Sequence, residues 1–161
     1  MIVVADTSPL NYLIQLGFDN LLPQLYGHIV VPSAVMQELS HAGAPLQVNG
    51  WLMHVPDWVQ VNRDAFVPDM KLAYLGPGER EAIQFAEERR ADLLLIDERK
   101  GRLEAKRRGL STTGTLGVLF SAGERKLIDP ALAYRRLLAE TTFRTSAALE
   151  TQFLEKILPH R

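Results

Sequence analysis

One pattern constrains this chain more than any other: short apolar runs, each closed by a turn residue and followed by a helix-type segment. Ile2-Val3-Val4-Ala5, the run His28-Ile29-Val30-Val31, and Leu93-Leu94-Leu95-Ile96 are too short for amphipathic helices and suit buried strands. The first run meets Asp6; Ser8 then reads as a cap, with Pro9 as first residue of a helix reaching Leu16 and stopping at Gly17. A short helix from Asp19 to Leu25 precedes the second run, which leaves through Pro32-Ser33 into a helix over 34–39. Gly76-Pro77-Gly78 breaks the chain, and Ala82, Ile83 and Ala86 have the spacing of a helix starting at Glu79. Asp97 closes the third run, and a helix over 98–108 stops at Gly109. A strand over 110–113, a helix over 115–122, a helix begun by Asp129-Pro130 and a last one opened by Ser146 and ended by Pro159 complete the reading. The stretch 43–69, broken by three prolines, yields only a short strand within 55–61. Strands alternating with helices imply the α/β class, with a mainly parallel central sheet covered on both faces.

At 161 residues the chain is expected to form one domain over 1–161, with 129–161 as C-terminal packing helices. A hydrophobic content of 47% beside 23% charged residues excludes a disordered chain, a collagen-like repeat and a membrane bundle. Without cysteine, disulfide scaffolds and thiolate zinc sites are excluded and a reducing compartment is allowed. The apolar start lacks a basic lead, and no run approaches the roughly 20 apolar residues of a spanning helix. A cytoplasmic protein with no membrane association is expected.

The net charge of -1 hides an asymmetry: residues 1–78 carry 2 Lys/Arg against 6 Asp/Glu, residues 79–161 carry 16 against 13. Much of the basic excess lies in Arg99, Lys100, Arg102, Lys106, Arg107 and Arg108, offset only by Glu104. Such a run is either a solvated helix face or a phosphate-contacting patch.

In open α/β sheets the ligand crevice lies beyond the carboxyl ends of the strands. Asp6 and Asp97 directly follow strand-like runs, Glu38 lies in the helix after the second, and Glu79 starts the helix after the glycine-proline break. Each taken alone reads as a cap, a solvated acid or a first-turn acid. Glu81 competes with Glu79, whose spacing to Ala82, Ile83 and Ala86 is better. Glu98 reads as an additional ligand or, in preference, as a first-turn helix acid, and Asp57, Asp69, Asp92 and Asp129 as turn or cap residues. His28, His41, His54 and His160 have no metal-ligand spacing, and Trp51 and Trp58 read as packing residues or stacking platforms.

Taken together, Val4-Ala5-Asp6-Thr7-Ser8, Val35-Met36-Gln37-Glu38-Leu39, Gly78-Glu79-Arg80-Glu81-Ala82-Ile83 and Leu95-Ile96-Asp97, in this order, resemble the PIN-domain nucleases, including the VapC-like toxins. Asp6-Thr7-Ser8-Pro9-Leu10 and Thr113-Gly114-Thr115 are similar to motifs of a PIN subfamily of poorly defined function. The resemblance implies a three-layer α/β/α sandwich and an acidic quartet of Asp6, Glu38, Glu79 and Asp97, with Ser8 as the hydroxyl accompanying the first acid.

Chemistry points the same way. Clustered carboxylates need bound cations or raised pKa values, and hard oxygen ligands without His or Cys favour Mg²⁺ or Mn²⁺. Hydrolysis of a phosphodiester is the matching reaction. Beside it, Arg99, Lys100 and Arg102 are candidates for holding the nucleic-acid backbone, and Thr113 for orienting water or phosphate. The expected function is therefore a metal-dependent endoribonuclease, the toxin of a toxin–antitoxin pair; the resemblance implies homodimerisation and a small antitoxin partner. The alternative is a PIN-like fold retained as a silent RNA- or protein-binding module. A haloacid-dehalogenase-like phosphatase needs a second Asp where Ser8 stands; a receiver domain or dinucleotide-binding unit lacks its other acids or glycines.

Overall fold

The computed structural model describes residues 1–158. Pro159 and His160 lie outside them. Five strands form one sheet in the order β3-β2-β1-β4-β5, every neighbouring pair parallel. They are β1 (Val3–Ala5), β2 (Ile29–Pro32), β3 (Val59–Asn62), β4 (Leu93–Leu95) and β5 (Thr112–Thr113). The chain starts at the centre, winds outward through β2 and β3, then crosses back to place β4 on the other side of β1. In a doubly wound sheet the reversal falls between β1 and β4, whose partners are Val3 with Leu93, Val4 with Leu94 and Ala5 with Leu95. Residues directly following Ala5 and Leu95 therefore emerge side by side.

Alternation along the strands divides the core in two. Val3, Ala5, Ile29, Val31 and Leu95 face one side with α1 (Thr7–Leu16), α2 (Leu21–Tyr26), α3 (Ser33–Leu39), α4 (Leu46–Met53), α7 (Thr115–Glu124), α8 (Pro130–Glu140) and α9 (Ala147–Ile157). Val4, Leu94 and Ile96 face the other with α5 (Pro77–Glu88) and α6 (Arg99–Arg107). This is the expected three-layer α/β/α sandwich around a parallel sheet.

Local differences from the sequence reading have simple causes. Helix α1 starts at Thr7 with Asp6 at the cap position, so Ser8 lies inside the first turn; Pro9 is tolerated because first-turn N–H groups have no intrahelical acceptor. Gly17, at φ 74°, closes the helix in the left-handed region that glycine adopts without strain. Helix α5 starts at Pro77, two residues before Glu79, with proline at the first helical position. The stretch 43–69 holds the unforeseen α4 besides β3, and Asp69 caps a 3-10 turn at Met70–Leu72 by accepting from the Lys71 N–H at 2.9 Å. Asp129 and Ser146 cap α8 and α9 as expected.

Candidate active site

Asp6 and Asp97 leave the sheet on adjacent strands, and Glu38 and Glu79 approach from α3 and α5. Asp6 is almost fully buried at 3% exposure, and its Oδ1 has no hydrogen-bond partner. Desolvation pushes its carboxyl up to about 7; the Thr7 backbone N–H opposes this, while the charges of Glu79, Glu38 and Asp97 add to it. Asp6 thus lies within electrostatic range of all three other acids.

Three helix N-termini meet the cluster. The Gly78 N–H of α5 donates to Glu38 Oε1 at 2.7 Å, and the Thr7 hydroxyl donates to Glu38 Oε2. Close approach requires glycine here: a Cβ on Gly78 would lie 2.5 Å from Glu38 Oε2. Helix α7 treats Asp97 in the same way, the Thr115 N–H donating to Oδ1 and its hydroxyl to Oδ2, each at 2.7 Å. A Cβ on Gly114 would lie 2.6 Å from Asp97 Oδ1. Positive helix ends favour carboxylates, so the fold offsets part of the repulsion that clustering creates. Burial still holds Asp97 above its ordinary value, against these Thr115 donors and the Arg102 charge.

Glu79 stands in the first turn of α5, and its Oε2 is buried without a partner. Burial raises its pKa, Glu98 and Glu38 raise it further, and the Gly76 N–H and Lys100 lower it. Gly101 of α6 lies against it, where a Cβ would come within 2.7 Å of Oε2. Glu81 is turned elsewhere: its Oε1 accepts from the Ser33 hydroxyl at 3.0 Å and the Ala34 N–H at 3.2 Å, fastening the start of α3. Glu98 is the N-cap residue of α6 and not a first-turn acid; its side chain makes no capping bond, and its charge bears on Glu79 and Asp97.

Among the described residues no three His, Asp or Glu side chains form a ready-made cation cage. Glu38 and Asp97 have both oxygens engaged in hydrogen bonds, whereas Asp6 Oδ1 and Glu79 Oε2 are buried without partners. One or two carboxylates completed by water is the ordinary way a protein holds Mg²⁺, so the donor set fits a hard divalent cation.

The basic run splits into two populations. Arg107 donates to Glu104 at 2.6 and 2.7 Å, and Arg108, largely buried, reaches Asp69 at 2.9 Å, Glu87 at 3.1 Å and Glu104 at 3.5 Å. Arg107 thus pairs within α6, whereas Arg108 holds the end of α6 against α5 and the turn before it. Arg102 donates to the Asp97 carbonyl at 2.8 Å, and Arg99 and Arg102 line a cavity that opens beside Asp97; Lys100 bears electrostatically on Glu79. Ser8 lines the same cavity. Thr113 packs against Gly117, where a Cβ would collide with its hydroxyl. The hydroxyls on the acids belong instead to Thr7 and Thr115, which sequence reading passed over although both stand in the quoted motifs. Trp51 donates to Asp19 at 3.1 Å and packs with Trp58, their ring centroids 6.5 Å apart, within the α1 side of the core. His28, His41 and His54 are exposed.

A parallel sheet wound both ways, with carboxylates gathered at its reversal point, is an α/β fold with an acidic crevice. The chain belongs to the PIN-domain family: the model of the family described as DUF3368, PIN domain, matches residues 2–158. The structure is similar to that of a PilT N-terminus domain protein, SSO1118, from the hyperthermophilic archaeon Sulfolobus solfataricus P2, with 20% sequence identity and a TM-score of 0.57 over 76% of this chain and 93% of that one. That likeness concerns the fold. No curated protein matches the chain. Among the described residues no helix is long and apolar enough to cross a membrane. PIN domains are typically nucleases that use divalent metal ions.

Proposed function

We propose that this protein is a metal-dependent endoribonuclease that hydrolyses RNA phosphodiester bonds, and that it acts as the toxin of a toxin–antitoxin pair. The observation that carries the nuclease reading is the cluster of buried Asp6 with half-buried Glu38, Glu79 and Asp97, in which Asp6 Oδ1 and Glu79 Oε2 are buried without partners. An uncompensated group of like charges opposes folding, and a cation supplies the compensation. Asp6 and Glu79 would hold Mg²⁺ or Mn²⁺ directly. Thr115 and Gly78 orient the carboxylates of Asp97 and Glu38 beside them. When bound, such an ion neutralises charge on the attacked phosphodiester and acidifies water. Arg99, Lys100 and Arg102 stand where they can hold the flanking backbone, a role that predicts salt-sensitive binding. The toxin reading rests on the resemblance to VapC-like proteins.

Purified protein incubated with a panel of structured and single-stranded RNAs in Mn²⁺, Mg²⁺ or EDTA tests the nuclease. Cleavage should require the metal and disappear in folded Asp6→Asn and Asp97→Asn variants; cleavage that survives both overturns this site. Absence of cutting together with absence of metal uptake in calorimetry favours the silent binding module. Expression in a bacterial host should arrest growth, with relief by Asp6→Asn.

A further inference from the structure

The layer of α5 and α6 presents an outer face that the acidic site does not use. It is built from α6 and from the segment 63–76, which links β3 to α5. That segment is pinned from beneath. Buried Gln84 of α5 donates to the Val67 carbonyl and accepts from the Asp69 N–H at 3.0 Å, and Arg108 donates to the Asp69 carboxylate at 2.9 Å. Leu72 and Leu75 are buried in one core cluster with Ile83, Ala86 and Leu94. Between these anchors the outward side chains are apolar: Val67 is 85% exposed, Met70 78% and Tyr74 57%. Each forgoes the gain of burial.

Helix α6 completes the face. Its exposed positions are Arg99, Lys100, Leu103, Lys106 and Arg107, which share one side of the helix, while Gly101, Glu104 and Ala105 are buried. Leu103, 55% exposed, is thus the single apolar residue among four cations. The two parts adjoin, because Tyr74 lies within electrostatic range of Arg107 and Arg108 reaches Asp69, the neighbour of Met70. None of the four apolar residues lines the cavity beside Asp97, whose outer wall is the segment from Phe143 to Lys156.

The acids nearby are already occupied: Asp69 and Glu87 accept from Arg108, and Glu104 accepts from Arg107. Lys71 and Lys106 form no ion pair among the described residues. The face therefore joins an apolar centre to uncompensated positive charge, and an apolar patch with a polar rim marks an interaction surface. A second copy meeting it about a two-fold axis would set these cations against themselves. Nucleic acid would gain little from Val67, Met70 and Leu103, since stacking needs aromatic rings and Tyr74 is the one ring among the four. We infer that this face docks an amphipathic segment of a partner protein, its apolar stripe seated on Val67, Met70, Tyr74 and Leu103 and its acidic flank on Lys71, Lys106 and Arg107. The inference is independent of the nuclease reading: it uses none of the four acids and none of the cations proposed to hold RNA.

The probe is a fluorescein-labelled synthetic helix of about five turns, with leucines along one side and glutamates beside them, compared with the same peptide carrying lysine for each glutamate. In fluorescence anisotropy with the whole chain, the acidic peptide should bind at least about tenfold more tightly than the lysine peptide. Leu103→Gln, Met70→Gln and Lys106→Glu should each weaken it by about tenfold or more. All three side chains are exposed, so the variants should melt with the wild type. Failure of the acidic peptide to bind, equal binding of both peptides, or wild-type binding by all three variants overturns the docking face. So does a dimer that Leu103→Gln dissociates in sedimentation, which would give the face to a second copy. Binding of single-stranded RNA or of phosphatidylglycerol vesicles that the same variants abolish, without peptide binding, would give it to those ligands and overturn it equally. Metal-dependent RNA cleavage should be unchanged in the three variants, and its loss in any of them would join the face to the acidic site and sink the proposal. Peptide binding by a wild type that cleaves no RNA would remove the nuclease and leave the docking face standing.

Discussion

Asp6 condenses the chemistry of this protein into one side chain. Its native pKa of about 7 lies above the unfolded value of 3.8, so between those values the native state retains a proton that the unfolded chain releases. The associated stability is fully present below about pH 4 and is lost as pH rises towards 7, with an upper bound of about 4 kcal/mol. Asp6→Asn should therefore melt above the wild type in EDTA at pH 8, and the difference should vanish near pH 4; equal melting temperatures at pH 8 would contradict the buried acid. Adding Mg²⁺ should raise the melting temperature of the wild type more than that of the variant. Thr115 is the second decisive residue. Replacing it with Val removes the hydroxyl donor to Asp97 and should cost about 1–2 kcal/mol in denaturant unfolding, with Thr115→Ser recovering most of the loss. The motif places a hydroxyl near Asp97, but choosing Thr115 over Thr113 depends on which of them lies at the start of α7, a boundary that local pattern leaves ambiguous by a residue or two.

At the scale of elements, helix starts do more here than cover the sheet. The Gly76-Pro77-Gly78 break reads in the sequence as punctuation, yet its glycine is needed because Glu38 approaches the α5 backbone too closely for a side chain. Helix α6 shows the opposite gap. Its basic residues look equivalent by composition, but Arg108 is consumed by Asp69, Glu87 and Glu104 while Lys106 is exposed. Arg108→Met should destabilise the protein by about 2–4 kcal/mol, and Lys106→Met should stay within about 0.5 kcal/mol, both measured by urea unfolding. Helix α4 was illegible because Leu46–Met53 buries only Val48 fully, with Trp51 and Leu52 half-covered, and carries an internal Asn49-Gly50. A helix that rests on α1 and α3 through a few residues and leaves Leu46 and Met53 exposed has no clean amphipathic period, and without that period the sequence offers little to read.

Over the whole molecule, the C-terminal helices present two kinds of surface. Leu137, Phe153 and Ile157 are buried, whereas Leu132, Leu138 and Leu158 are at least 39% exposed. The homodimer proposed for a toxin of this kind would use such apolar residues at its interface, and sedimentation equilibrium at micromolar concentration should then read twice the chain mass; a monomer would overturn it. Apart from α4, the order of strands and helices, and the acids that follow β1 and β4, were determined by the sequence alone. These are local properties: a four-residue apolar run, a capping residue or a proline acts within a turn or two of itself. Tertiary structure alone decided which oxygens of the four acids remain free, which arginines are spent on ion pairs, and that the C-terminal segment walls a cavity beside Asp97. Those outcomes depend on register and packing between elements far apart in the chain, and each is set by a displacement of an ångström or two that no local pattern encodes.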